Sequence, residues 1–207
     1  MLKIRMTVSV LAALAIALML ATGTFAAKPK DAPKPKHFKA TDTIAGVLSC
    51  KAVSHDGGNF LDIRIQGATE TYGISGSFLD QIKTVGEAAK KLVGKHVVAK
   101  GELAEKPKTA GAPHYLMVNG MEDITEQKPV DLAGAVKVEV EKGPKGDTVA
   151  HFTLTVGDKV YEAVTTQAKD MLGSKKGKNV TASCYLDGDE KCLRISEIAT
   201  IKADAAK

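Results

Sequence analysis

Apolar and polar positions alternate with two different periods along this chain, and the periods change in the same order twice. Leu61, Ile63 and Ile65 alternate with Asp62, Arg64 and Gln66, the period of a half-buried strand. Ala45–Val53 is apolar and β-branched enough for a preceding strand, and Ser54–Asn59 has turn composition. After a reversal at Gly67–Glu70, Thr71–Ile74 is a third strand. Phe78, Ile82, Val85, Ala89 and Leu92 then fall at helical spacing, with Ser77 as the predicted cap and Gly94 as the stop. His96–Leu103 and Tyr115–Ile124 are predicted fourth and fifth strands. Farther on, Val136, Val138 and Val140 alternate with Lys137, Glu139 and Glu141, and Phe152, Leu154 and Val156 with His151, Thr153 and Thr155. Thr165–Leu172 is a short helix, and Val180–Leu186 and Cys192–Ile201 form a predicted final hairpin about Asp187-Gly188-Asp189.

The two halves also share residues. Ile44-Ala45-Gly46-Val47-Leu48 returns as Leu132-Ala133-Gly134-Ala135-Val136, and Gly94-Lys95-His96-Val97-Val98-Ala99 as Gly177-Lys178-Asn179-Val180-Thr181-Ala182. Leu116, Val118, Met121 and Ile124 are matched with Leu193, Ile195, Ile198 and Ile201, and Tyr72 with Tyr161. A repeat of this length is a duplicated domain rather than a solenoid. Three strands, a helix and two strands is the order of the OB-fold, a five-stranded barrel with its helix between strands three and four. Gly46 and Gly134 suit a first strand that bends to serve two neighbours. An SH3-like barrel, the main competitor, has no helix there. The expected fold class is therefore all-β with one short helix per domain, as two tandem five-stranded OB-like barrels at residues 43–125 and 131–202.

Residues 1–26 read as a secretory signal peptide: Lys3 and Arg5, an uncharged apolar run from Thr7 to Leu20, then small residues. Residues 27–42 are a Lys/Pro-rich linker, expected to be extended. The formal charge of +5 sits largely in these segments. Without Lys3, Arg5 and the five lysines of Lys28–Lys39, residues 40–207 carry 22 basic against 23 acidic residues. A nucleic-acid or membrane-surface binder carries a basic face, and in this chain such a face must be balanced elsewhere. The expected location is periplasmic or secreted, with no transmembrane segment after cleavage.

Copy two, from Gly134 through Val136–Val140, Gly177–Val180 and Leu193–Ile198, resembles the exported bacterial OB-fold domains described as tRNA-anticodon-binding-like. The resemblance extends to copy one. It implies an OB-like fold related to nucleic-acid-binding domains, and no catalytic residues.

Candidate chemistry is sparse. A three-residue loop at Asp187–Asp189 would place Cys184 opposite Cys192, and an oxidising compartment would then favour a disulfide; two unpaired buried thiols are the alternative. Cys50 corresponds to Val138, a core position. No His or Cys pair has metal-ligand spacing, and His114, Met117 and Met121, which invite a copper reading, do not share a strand face. No nucleophile elbow, phosphate loop or matched carboxylate pair is present, so neither enzyme activity nor a cofactor is expected. The candidate ligand-binding residues are Phe60 and Arg64, outward on the second strand, and Lys175, Lys176 and Lys178 after the second helix. A solvated helix terminus, with cations near the carbonyl end, explains those lysines better. The expected function is an exported, non-enzymatic binding or envelope-associated module. Its partner would be a protein, an envelope component or an oligomeric anion. One alternative is binding of single-stranded nucleic acid or another polyanion by the Lys tail and barrel face; a metal- or redox-active protein is the other.

Overall fold

The structure is a computed structural model and describes residues 37–55, 58–109, 112–142 and 146–204. The predicted leader and nearly all of the Lys-Pro run lie outside these residues. In the amino-terminal half, β1 (Asp42–His55), β2 (Gly58–Gln66), β3 (Thr71–Ser75), α1 (Ile82–Lys90), β4 (His96–Leu103), β5 (His114–Met117) and β6 (Ile124–Glu126) follow one another. The six strands make one sheet in the order β1-β2-β3-β5-β4-β6, and β1 pairs with β4 as well as β2. β3 and β5 run parallel.

In the carboxy-terminal half, β7 (Val130–Lys142), β8 (Thr148–Val156), β9 (Lys159–Ala163), α2 (Thr166–Gly173), β10 (Asn179–Leu186) and β11 (Arg194–Ala203) form a closed five-stranded barrel in the order β10-β11-β9-β8-β7. Its helix lies between the third and fourth strands, and its third and fifth strands pair in parallel. This is an OB-like arrangement. Of the two predicted barrels, this one is a closed five-stranded ring, and the amino-terminal half is a six-stranded sheet with the additional β1–β4 pairing.

Each first strand is shared between two neighbours. Asp42–Val47 pairs with β4, and Val47–His55 with β2. Likewise Val130–Ala135 pairs with β10, and Ala135–Lys142 with β8. A Cβ on Gly46 would land on the carbonyl oxygen of Gln66, and one on Gly134 on that of Thr155. Glycine at the changeover lets the backbones touch. Leu48, Ile63, Ile65, Val97, Ala99 and Leu116 are buried in the first core, closed by Val85 and Ala89 of α1. Val136, Leu154, Val180, Ala182 and Ile195 fill the barrel, closed by Ala168 and Leu172 of α2. Each such Leu or Ile contributes about 1.5–3 kcal/mol by leaving water.

The turn that follows each helix reaches a glycine with positive φ, 78° at Gly94 after α1 and 74° at Gly177 after α2, a conformation glycine adopts readily. The turn is then bonded to the first strand in the same way twice. Gly94 N–H donates to Leu48 O (2.8 Å) and Leu48 N–H to Lys95 O (3.1 Å); Gly177 N–H donates to Val136 O (3.1 Å) and Val136 N–H to Lys178 O (2.9 Å).

Three expectations are corrected. Ser77 does not cap a helix by its side chain but opens a 3₁₀ turn, Ser77–Asp80, and α1 starts after it. In the second half Thr165 does cap, accepting Ala168 N–H at 3.3 Å and donating to Ser196 O at 2.6 Å. Tyr115–Ile124 is not one strand. The Asp123 carboxylate accepts Asn119 N–H (2.9 Å), and a 3₁₀ turn at Met121–Asp123 separates β5 from β6; local side-chain bonding competes with the ladder. Finally, the last hairpin is looser than predicted. Leu186 pairs with Ile195 and Cys184 with Ile198, leaving Asp187–Leu193 as the connection. The expected Cys184–Cys192 disulfide is therefore absent: Cys184, Cys192 and Cys50 are all free thiols.

One short segment of the barrel meets the amino-terminal half residue by residue. The Tyr185 ring stacks on His96 with centroids 3.7 Å apart and planes 9° from parallel. Gln127 Nε2 donates to Leu186 O and Gly188 O, both at 3.0 Å. Between them, the Asp187 carboxylate accepts the N–H of Ala68 in the β2–β3 turn and pairs with Arg194 at 3.2 Å. Burial raises the Asp187 pKa, against the opposing pull of Arg194 and the Ala68 N–H.

Candidate functional site

Ladder register builds the most distinctive surface of the amino-terminal sheet. Along β2 the buried residues are Leu61, Ile63 and Ile65, so Phe60, Asp62, Arg64 and Gln66 face outward. Arg64 pairs with Gly73 of β3, and Gly73 with Tyr115 of β5. These three residues therefore form one row across the outer face. Gly73 has no side chain, and the Tyr115 ring occupies the vacant space: a Cβ there would lie 2.6 Å from Tyr115 Cε1. The ring packs against Gly73, and Tyr115 remains 44 % exposed, which leaves it available for stacking. Phe60, 46 % exposed, is a second ring on the same strand face, ~13 Å from Arg64 by strand rise.

Arg64 is not a free cation. Its Nε donates to both oxygens of Asp62, at 2.9 and 3.0 Å. That hydrogen bond, then the Asp62 charge, hold the guanidinium above its ordinary pKa, and Tyr115 acts in the same direction. Lys51 lies opposite Asp62 on β1, and Glu102 lies opposite Met117, two residues beyond Tyr115. Both are exposed, as is Lys100, two residues before Glu102 on β4, so charges of both signs border the face.

The corresponding row of the barrel is Lys137–Thr153–Glu162–Arg194. Glu162 stands where Gly73 does, and Arg194 where Tyr115 does. Glu162 is engaged by His151 Nδ1 (3.0 Å) and Arg194 by Asp187, so this row presents no ring.

Of the predicted site residues, Phe60 and Arg64 share the ring-bearing face. Lys175, Lys176 and Lys178 lie on the turn between α2 and β10 of the barrel, on a different sheet. Their backbone N–H groups are spent on the turn, on Leu172 O, Gly173 O and Lys175 O. Sequence reasoning missed Tyr115. The available signal was its outward phase on β5; what could not be read was that β3 would place a glycine beneath it.

The other candidates are dispersed. His114 Nε2 bonds Ala104 O at 2.7 Å, Met121 packs on the core, and Met117 is on the outer side of β5. Among the described residues no group of three or more His, Cys, Asp or Glu is placed to hold a metal ion. Burial, then Asp131, pushes the Cys184 thiol up to about 12; burial, then Asp62, also raises Cys50. A cleft of about 650 Å³ beside the Tyr185–Gly188 segment is lined by charges of both signs, including Lys100, Lys128, Lys191, Asp189 and Glu190. No helix among the described residues is long and apolar enough to cross a membrane.

No protein-family model and no curated protein matches this chain. Among solved structures it is similar to the single-stranded DNA binding protein from Thermus aquaticus, at 14 % identity over 80 % of this chain and 92 % of that one, with a TM-score of 0.26. It is also similar to the tetrameric p202 HIN2, at 10 % identity over 84 % of this chain and 97 % of that one, again with a TM-score of 0.26. At these values neither likeness bears on a ligand.

Proposed function

We propose that this protein is an exported, non-enzymatic binding module made of two OB-like domains, residues 43–125 and 131–202. The amino-terminal copy carries the ligand surface, on the outer face of β2, β3 and β5. The row Arg64–Gly73–Tyr115 is the observation that carries this reading: a glycine leaves room for an exposed tyrosine packed against it, in register with a paired guanidinium. Duplication is supported by the shared first-strand glycines and by the identical bonding of Gly94 and Gly177 to the first strands. Burial raises the thiol pKa of Cys50 and of Cys184, which speaks against either of these two as a reactive thiolate. Export rests on the leader composition alone.

The test is co-sedimentation of mature protein with bacterial cell-envelope material, comparing wild type with Tyr115→Ala and Phe60→Ala. Retention should fall in both variants while their melting stays like wild type. Equal retention of all three proteins would remove the face from the account.

A further inference from the structure

The cleft of about 650 Å³ beside the Tyr185–Gly188 segment lies where the two halves of the chain meet, and we infer that it is a binding site for a short acidic peptide. None of its lining residues lies on β2, β3 or β5, so it is a second site, separate from the ligand face proposed above.

Its lining comes from three parts of the fold. Val97 and Ala99 point into the first core, so Val98 and Lys100 are on the outer side of β4, with Thr125 of β6 opposite Val98. This outer side is one wall. The connection after β10, from Gly188 to Lys191, is another, and the joining segment Gln127–Val130 completes the lining.

Bonds fix these parts before any ligand arrives. Gln127 N–H donates to His96 O at 2.8 Å, while its Nε2 reaches Leu186 O and Gly188 O. The connection is tied at both ends, by Asp187 N–H to Arg194 O at 2.8 Å and Cys192 N–H to Asp189 O at 3.0 Å. A prebuilt cleft spares the ligand the cost of ordering the protein. Its volume falls within the range of small-ligand sites, about 300–1,000 Å³.

The charges select the ligand. Glu126 is already paired with Lys95 at 2.6 Å. Among the described residues, Lys100, Lys128 and Lys191 make no ion pair, and neither do Asp189 and Glu190. Asp189 gives Oδ1 to the Lys191 N–H at 3.0 Å and retains its second oxygen. Three ammonium groups and two carboxylates therefore border one cleft. Phosphate or a polyanion would meet the two carboxylates, and a polyamine would meet the three lysines. A peptide with a free amino terminus, a free carboxyl terminus and one acidic side chain offers partners of both signs, with one negative charge in excess, as the lining has one positive. Val98, Pro129 and Val130 supply apolar surface for its aliphatic carbons.

The experiment is calorimetric titration of the mature protein with the tripeptide Ala-Ala-Glu, its carboxyl-amidated and amino-acetylated forms, Ala-Ala-Lys and inorganic phosphate. Ala-Ala-Glu should bind saturably at millimolar concentration or below. Each blocked form and Ala-Ala-Lys should bind about two- to fivefold more weakly, the loss of one solvent-exposed charge pair. Lys128→Gln and Glu190→Gln, both at exposed positions, should weaken the tripeptide by a similar factor, and Tyr115→Ala should leave it unchanged. No tripeptide binding overturns the inference. Phosphate that binds as well as the tripeptide and displaces it would make the cleft a simple anion site, which also overturns it. Tripeptide binding insensitive to Lys128→Gln and Glu190→Gln would remove the ligand from the cleft, and loss of binding in Tyr115→Ala would move it to the sheet face.

Discussion

Replacing Gly73 with alanine separates the ring platform from the fold beneath it. The new Cβ would sit 2.6 Å from Tyr115 Cε1 and 2.8 Å from Cδ1, about 1 Å inside ordinary carbon contact. Nothing else is in the way at comparable range, and Tyr115 is 44 % exposed, so the ring can swing outward. Gly73 lies within β3, without a positive φ, and alanine tolerates that backbone. Removing a glycine from the unfolded chain stabilises by ~0.4–1 kcal/mol, which offsets the lost ring contact. The net change in stability should stay within about 1 kcal/mol, or roughly 2–4 °C in Tm for a chain of this size. Binding should respond differently, because the ring is displaced from its place over residue 73. Losing an aromatic stack worth ~0.5–1.5 kcal/mol weakens affinity roughly 2- to 12-fold. Urea unfolding and retention on bacterial cell-envelope material give the two numbers. Unchanged affinity in Gly73→Ala would refute the platform. A stability loss above about 3 kcal/mol would mean that Gly73 serves the fold instead.

Other positions test the structure apart from the ligand. Gly134→Ala drives a Cβ into the backbone of Thr155, so it should cost roughly 1–3 kcal/mol or more in urea melts; wild-type stability would contradict the strand changeover. Burial, then the Glu70 charge, pushes the Tyr72 hydroxyl up to about 12. The folded state therefore holds that proton more tightly than the unfolded chain, whose tyrosines titrate near ~10. Its contribution is complete below pH ~10 and is lost as pH rises towards 12. A phenolate absorbance titration should include a late step missing from Tyr72→Phe, and identical curves would contradict the site. Thiol titration of denatured, unreduced protein should count three free cysteines, and one would restore the hairpin disulfide. Gln127→Ala removes both bonds to Leu186 O and Gly188 O and should cost about 1–3 kcal/mol; an unchanged melt would discount that joint.

Much of the architecture is legible from local pattern. Leu61, Ile63 and Ile65 declare the inward face of β2 because the strand is half-buried, and His96–Leu103 is β4 with the same limits. The glycines at 46 and 134 mark the shared first strands because only they permit backbone contact there. Register between distant strands is less legible. The residue matches through the last strand assume one offset, but Ile74 pairs with Leu116 and Ala163 with Ile195, so the structural counterpart of Leu116 is Ile195, not Leu193. Ile124 and Ile201 still correspond, through Ala99 and Ala182. The first half thus spends two more residues between these points, where its 3₁₀ turn lies. The same problem undid the cysteine pair, since the turn residues Asp187-Gly188-Asp189 set a tighter loop than the bulged β10–β11 ladder allows. Asp187 is instead occupied with Ala68 and Arg194. The candidate face was half legible: Phe60 and Arg64 follow from the phase of β2, whereas Tyr115 depends on a parallel pairing that no local signal encodes.

The most direct measurement is an amide chemical-shift map of the isotope-labelled protein during titration with solubilised bacterial cell-envelope material. Shifts confined to Phe60–Gln66, Thr71–Ser75 and His114–Met117, with the barrel strands Thr148–Val156 and Arg194–Ala203 unmoved, are the predicted result. Shifts centred on the barrel, or on the Lys175–Lys178 turn, would contradict the assignment of the ligand surface to the amino-terminal sheet.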